Sequence, residues 1–151
     1  HAMDLNSIKL DARKLSGGVW WAVERLPDGK LGGHALRGDP GDKPALLIRP
    51  VGVDFERALE AARRPYLIEI RERRLSPEID RQIVAEAIAE ALWIGAQGLT
   101  VHGEPFTFDK VKAAKMLADP AWLSLSDFIL SVAGDRAAAL ADEEAKALGN
   151  S

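Results

Sequence analysis

Between Ser76 and Gly98 the chain reads SPEIDRQIVAEAIAEALWIGAQG, and no other stretch limits the fold as much. Ser76 offers a capping hydroxyl and Pro77 takes the first helical position, where its missing N–H costs nothing. The helix started there is predicted to run to about Gln97. At about 100° per residue, Gln82, Glu86, Glu90 and Gln97 share one narrow polar strip. Ile79, Ile83, Val84, Ala87, Ile88, Ala91, Leu92 and Ile94 spread over most of the remaining circumference. A helix apolar on nearly every side must be covered on nearly every side, so this second full helix is expected at the centre of the domain.

Other helices are expected on either side of it in the sequence. Asp54 is predicted to cap a helix in which Phe55, Leu59, Ala62, Tyr66 and Ile70 form one apolar stripe. Pro65 removes a hydrogen bond within it, yet the stripe keeps its phase, so one bent helix to about Arg74 is expected. Asp109 caps a short helix that Pro120 stops. Ser124 and Asp127, three apart, read as a capping box opening a last helix. From Ala137 an acidic, alanine-rich tail should fray.

Ahead of the helices, Val19–Glu24 (VWWAVE) and Ala45–Arg49 (ALLIR) are β-branched, aromatic and apolar, and are expected to pair as a hairpin. Residues 27–44 between them hold five glycines and three prolines, so a long mobile loop is predicted, with disorder ahead of function. Its Arg37-Gly38-Asp39 tripeptide is read as chance. Residues 99–108 should make a small hairpin or an extended excursion that turns at 102–105. The expected architecture is α+β and mostly α: a small N-terminal antiparallel sheet on about four helices, in a single domain over residues 4–150. His1–Met3 reads as a remnant of tag cleavage and is set aside.

Composition narrows the chemistry. A chain of 151 residues can bury roughly 70% of its unfolded surface in one core. Its net charge of −3 provides no overall positive field for nucleic acid or anionic lipid. Without cysteine, thiolate catalysis and disulfides are excluded, which fits a reducing cytosol. No apolar run reaches the length of a membrane span, and a protein without export signal is expected.

Candidate reactive groups are sparse. His34 and His102 stand singly in glycine-containing turns, a poor basis for a metal site. The glycines at 29–41 match no phosphate-binding pattern, and no cofactor is expected. Ser7, Ser16 and Ser76 have neither a neighbouring base nor an elbow motif. Glu86 and Glu90 lie one turn apart and would suit proton transfer if a cleft desolvated both; a hydrolase built on them is one rival reading. The simpler reading makes their strip the solvated edge of a buried helix, and no enzyme is expected.

Binding to other proteins remains. Arg57, Arg63, Arg64, Arg71, Arg73 and Arg74 load the bent helix with positive charge, either as a docking surface or as a solvated face paired locally with Glu60, Glu69 and Glu72. Trp20 and Trp21 point to opposite faces of a strand, so one of them must leave the core. Trp93 projects beside the Glu86/Glu90 strip and would suit an anchor. The candidate partner-binding residues are Trp93, Arg63, Arg64, Tyr66, Arg71 and Trp21. A second rival is a head-tail or DNA-packaging adaptor that holds DNA or a virion protein through the arginine-rich helix.

From Asp4 to about Asp135 the segments DLNSIKLDARKLSGGVWW, LLIRPVG, the bent helix with RRPY, and GLTVHGEPFTFDKVKAAKMLADPAWLSLSDFILSVAGD follow one another. Their order resembles the tail assembly chaperones of long-tailed bacteriophages, with a longer loop at 27–44 and the acidic ending of that family. The resemblance implies a non-catalytic protein in the cytoplasm of the bacterial host that coats the tape measure protein, helps bring tail tube subunits to it, and leaves before the tail is finished. It also implies a longer frameshifted product of the same gene as a further partner, and leaves self-association into a homo-oligomer open.

Overall fold

The computed structural model describes residues 17–135. Expectations for residues 4–16 and for the tail from Ala137, including Ser7 and Ser16, lie outside the described residues.

Among the described residues the fold is α+β: a four-stranded antiparallel sheet and four helices, one of them broken by a 3-10 turn. Strands β1 (Val19–Arg25), β2 (Leu31–Ala35) and β3 (Ala45–Ile48) precede the helices. The broken helix comprises α1 (Val53–Arg63), a 3-10 turn (Arg64–Tyr66) and α2 (Leu67–Arg71). Helix α3 (Pro77–Ala91) leads into β4 (Trp93–Gln97), and the β5–β6 hairpin (Thr100–Val101, Glu104–Pro105) into α4 (Lys110–Ala118). A 3-10 turn (Pro120–Trp122) then opens α5 (Leu123–Ala133). Sheet order is β2-β1-β3-β4.

Two expectations about the sheet are corrected. The segment 27–44 is not one loop, because Leu31–Ala35 pairs with β1 from Leu31↔Arg25 to Ala35↔Trp21. Pro27-Asp28-Gly29 makes the turn: Gly29 N–H donates to Leu26 O at 2.9 Å with Gly29 at φ 86, a type I turn closed by a left-handed residue. Strands β1 and β3 do pair, at Val19↔Ile48 through Ala22↔Ala45, but not as a hairpin. Strands β2 and β3 flank β1 and run parallel to each other, so residues 36–44 must cross it. Pro40 in that crossing is buried, and Gly41 O accepts from Gln97 Nε2 on β4.

The helix expected to reach Gln97 stops at Ala91. The chain re-enters as β4, which pairs with β3 at Leu46↔Ala96 and Leu47↔Gly95 and slips by a bulge to Ile48↔Trp93. Gly95 is poor in a helix, Trp93 and Ile94 suit a strand, and the free edge of β3 accepts them. Gln97 therefore leaves the helical polar strip, while Gln82, Glu86 and Glu90 remain in it and exposed.

The centre is where the pattern placed it. Helix α3 packs against α1 and α4 and touches α5 and β4. Its Ile83, Ala85, Ala87, Ile88, Ala89 and Ala91 are buried. Val19, Trp21, Leu46 and Ile48 from the sheet meet Ile88, Leu92, Leu117, Phe128 and Ile129 in one core.

Caps explain the helix boundaries. Ser76 Oγ accepts from Ile79 N–H at 3.2 Å and Asp109 Oδ1 from Lys112 N–H at 2.9 Å, both as the sequence suggests. Asp54 is not a cap: Gly52 occupies that position and Asp54 sits in the first turn, where its charge favours the helix dipole. Ser124 and Asp127 form no box, since Asp119 Oδ1 caps the preceding 3-10 turn at Ala121 N–H and α5 follows without a break. At Pro65 the helix is interrupted by the 3-10 turn, and Tyr66 leaves helical geometry at φ −120 and ψ 20 before α2 resumes. After Arg71, Arg74 N–H donates to Glu69 O (2.7 Å) and Arg73 N–H to Ile70 O (3.1 Å), with Arg73 left-handed at φ 56; this is a Schellman closure.

Candidate partner-binding grooves

Two concave surfaces flank α4. The first is a slot of about 880 Å³ between α1 and α4, over α3. Ala58, Ala61 and Ala62 on α1, Ala89 and Ala91 on α3 and Ala114 on α4 line it. Charged groups rim it: Arg49, Asp54, Arg57, Glu86, Glu90, Lys110 and Lys115. Lys110 Nζ on α4 pairs with Glu90 Oε2 on α3 at 2.8 Å. Both partners are more than half exposed, so the pair stabilises little.

The second is a trough of about 630 Å³ between the β1–β2 turn, the β5–β6 hairpin and the α4–α5 junction. Val23, Leu31, Leu99, Phe106, Met116, Trp122 and Leu125 line it, Trp93 forms part of its base, and Arg25 and Lys30 are its charged lining residues. Exposed Leu123, at 54%, adjoins it in sequence beside Trp122.

The expected binding residues are divided by this geometry. Trp93 is 1% exposed: it stacks on Phe106, meets Phe108 edge-on and donates Nε1–H to Gly95 O at 3.0 Å. The expectation of a surface anchor assumed a helix that the chain has already left. Trp21 is 6% exposed on the core face, and its neighbour Trp20, on the opposite face, is the half-buried one. Neither Trp93 nor Trp21 is a surface anchor.

Arg63, Arg64 and Arg71 are exposed on the broken helix and Tyr66 is half-buried. Among the described residues these arginines form no ion pair, whereas Arg74 pairs with Glu72. Six arginines between Val53 and Arg74 face five carboxylates (Asp54, Glu56, Glu60, Glu69, Glu72), leaving a net of one positive charge. Interleaving of that kind gives no positive stripe for a phosphate backbone.

Glu86 and Glu90 do line a groove, as the hydrolase reading requires, but both face solvent and Lys110 engages Glu90. A desolvated carboxylate pair is not formed there. His34 lies on β2 and His102 in the β5–β6 turn; among the described residues no group of His, Asp and Glu gathers to hold a metal. No single described helix is long and apolar enough to cross a membrane.

What sequence reasoning missed is the trough. Leu31, Leu99, Met116 and Trp122 come from four separate segments, two of which had been read as loop or connection. The Pro-Asp-Gly turn signal at 27–29 could have exposed the β1–β2 hairpin and placed Leu31 on a strand.

The described residues form an α+β domain with two open grooves on its surface. Residues 51–150 match the family model described as YdaY prophage protein, and the chain belongs to that family. It is thus a phage-derived protein. No curated protein and no solved structure matches it.

Proposed function

We propose that the chain is a non-catalytic tail assembly chaperone that binds the tape measure protein and helps recruit tail tube subunits in the cytoplasm of the bacterial host. The supporting observation is the trough between the β1–β2 turn, the β5–β6 hairpin and the α4–α5 junction. Its leucines, Phe106 and Trp122 give apolar contact area, and Met116 adapts to irregular side chains. A helix with an apolar face can lie there reversibly, since the trough is open and its charged lining residues are two cations. Membership of a prophage family and the segment order described above agree with this role.

The test is co-expression with the tape measure protein of the same prophage. Soluble tape measure protein should co-elute with the wild-type chain, and Trp122→Ala with Leu125→Glu should lower recovery about tenfold or more. The melting temperature of that double variant provides the folding control. Tape measure protein that stays insoluble beside the wild-type chain overturns the reading; so does full recovery with the double variant.

A further inference from the structure

We infer that the trough selects its partner by sign: it takes an amphipathic helix whose apolar stripe is bordered by aspartate or glutamate. The inference deepens the proposed function and rests on its placement of the partner in this trough.

Alternation along β1 brings in the first cation. Trp21, Val23 and Arg25 lie on one face of the strand, running from buried through half-buried to exposed, and Glu24 points to the other face. Arg25 is paired with Leu31, and both line the trough. The core face of the sheet thus ends in a guanidinium where an apolar residue would have continued it. Lys30 follows from the same turn, and the carboxylate beside it is committed: Asp28 Oδ1 accepts from Lys30 N–H at 2.9 Å. A third cation comes from α4, where Lys112 Nζ stands 5.8 Å from the centroid of the Phe106 ring.

The opposite charge is missing from this surface. Among the described residues no carboxylate lines the trough, and none forms an ion pair with Arg25, Lys30 or Lys112. Asp119, at the α4–α5 junction, caps Ala121 N–H, and Asp127 lines an adjoining groove of about 260 Å³ and not the trough itself. The slot, by contrast, mixes cations with carboxylates and favours neither sign. A helix that lays leucines against Phe106, Met116 and Trp122 brings its bordering residues to these three cations. Each exposed pair so formed is weak, but attraction of acidic borders and repulsion of basic ones act together, and their difference is what discriminates. The chain as a whole is net −3 and attracts basic helices, so a preference for an acidic one has its source in the local lining.

The test uses the full chain and three fluorescent peptides of about 20 residues, held helical by the same covalent i,i+4 staple and sharing one leucine stripe. The positions bordering the stripe are all Glu, all Gln or all Lys. Anisotropy titration should show the Glu peptide bound about threefold more tightly than the Gln peptide and at least about tenfold more tightly than the Lys peptide. Arg25→Glu with Lys30→Glu, both exposed, should reverse that order. Arg63→Glu with Arg64→Glu, the same change of net charge on a distant surface, should keep it. Equal affinity of the three peptides, or binding of none, overturns the inference, as does a Glu preference that survives reversal of Arg25 and Lys30. Binding seen only after removal of residues 136–151, whose sequence holds Asp142, Glu143 and Glu144, makes the chain's own tail the occupant and overturns it too. So does displacement of the Glu peptide by a single-stranded oligonucleotide, which makes phosphate the anion. Equal binding that is still lost in Trp122→Ala with Leu125→Glu removes the selection by sign and leaves the proposed function standing, so the two readings fail separately.

Discussion

Trp93 lies flat on Phe106, ring centroids 5.6 Å apart and planes 12° from parallel, so the first residue of β4 holds the β5–β6 hairpin against the core. That contact joins the last strand of the sheet to the floor of the trough.

Removing the indole should therefore act on stability first. Trp93→Ala deletes a fully buried ring, two aromatic contacts and the hydrogen bond to Gly95 O, for an expected loss of about 3–5 kcal/mol. Urea unfolding followed by far-UV circular dichroism measures it. A loss under about 1 kcal/mol would contradict the position described here.

Gly33 fixes β2 on β1. A Cβ there would stand 2.1 Å from Ala22 O and 3.0 Å from the Phe128 ring, and the backbone carbonyl has no rotamer by which to move aside. Gly33→Ala is expected to cost more than about 2 kcal/mol. Amide exchange should localise the added opening to β2.

Arg73 occupies the left-handed position of a Schellman closure that glycine usually fills. A side chain there is strained, and that of Arg73 is exposed and makes no ion pair among the described residues. Arg73→Gly should raise stability by about 0.5–1 kcal/mol, visible as a higher melting temperature.

The arginine-rich helix separates two modes of binding. If the apolar trough carries partner capture, Arg63→Ala with Arg64→Ala should leave it within about twofold, and raising salt from ~50 to ~500 mM should change it little. An adaptor that holds DNA through those arginines would instead lose affinity by about 10³-fold or more over such a range. Filter binding of duplex DNA beside the protein pull-down reads both.

Much of the architecture was written in local chemistry. Ser76-Pro77 placed the start of α3, Asp109 the start of α4, Pro65 the break, and the spread of Ile83, Ala87 and Ile88 put α3 at the centre. Where the sequence misled, a distant partner decided. WIGAQ is ambiguous by period, and only the unpaired edge of β3 turns it into a strand. The same shift carried Trp93 from an expected surface to the core. Leu31 was hidden because five glycines obscure any alternation, although β1 pairs with its segment residue by residue. The slot and the trough were illegible for a related reason: each is lined from three or more elements, and no single stretch of chain holds the pattern.

The place of β4 in the sheet governs how this protein can be made. During translation β1, β2 and β3 emerge first, but β3 keeps a bare edge and the core lacks Leu92 and Trp93 until α3 has been synthesised. A nascent chain halted before residue 92 thus holds three strands that can neither close their sheet nor cover its inner face. The sheet can close only once β4 has been made, and the core only once Leu117, Phe128 and Ile129 have followed it.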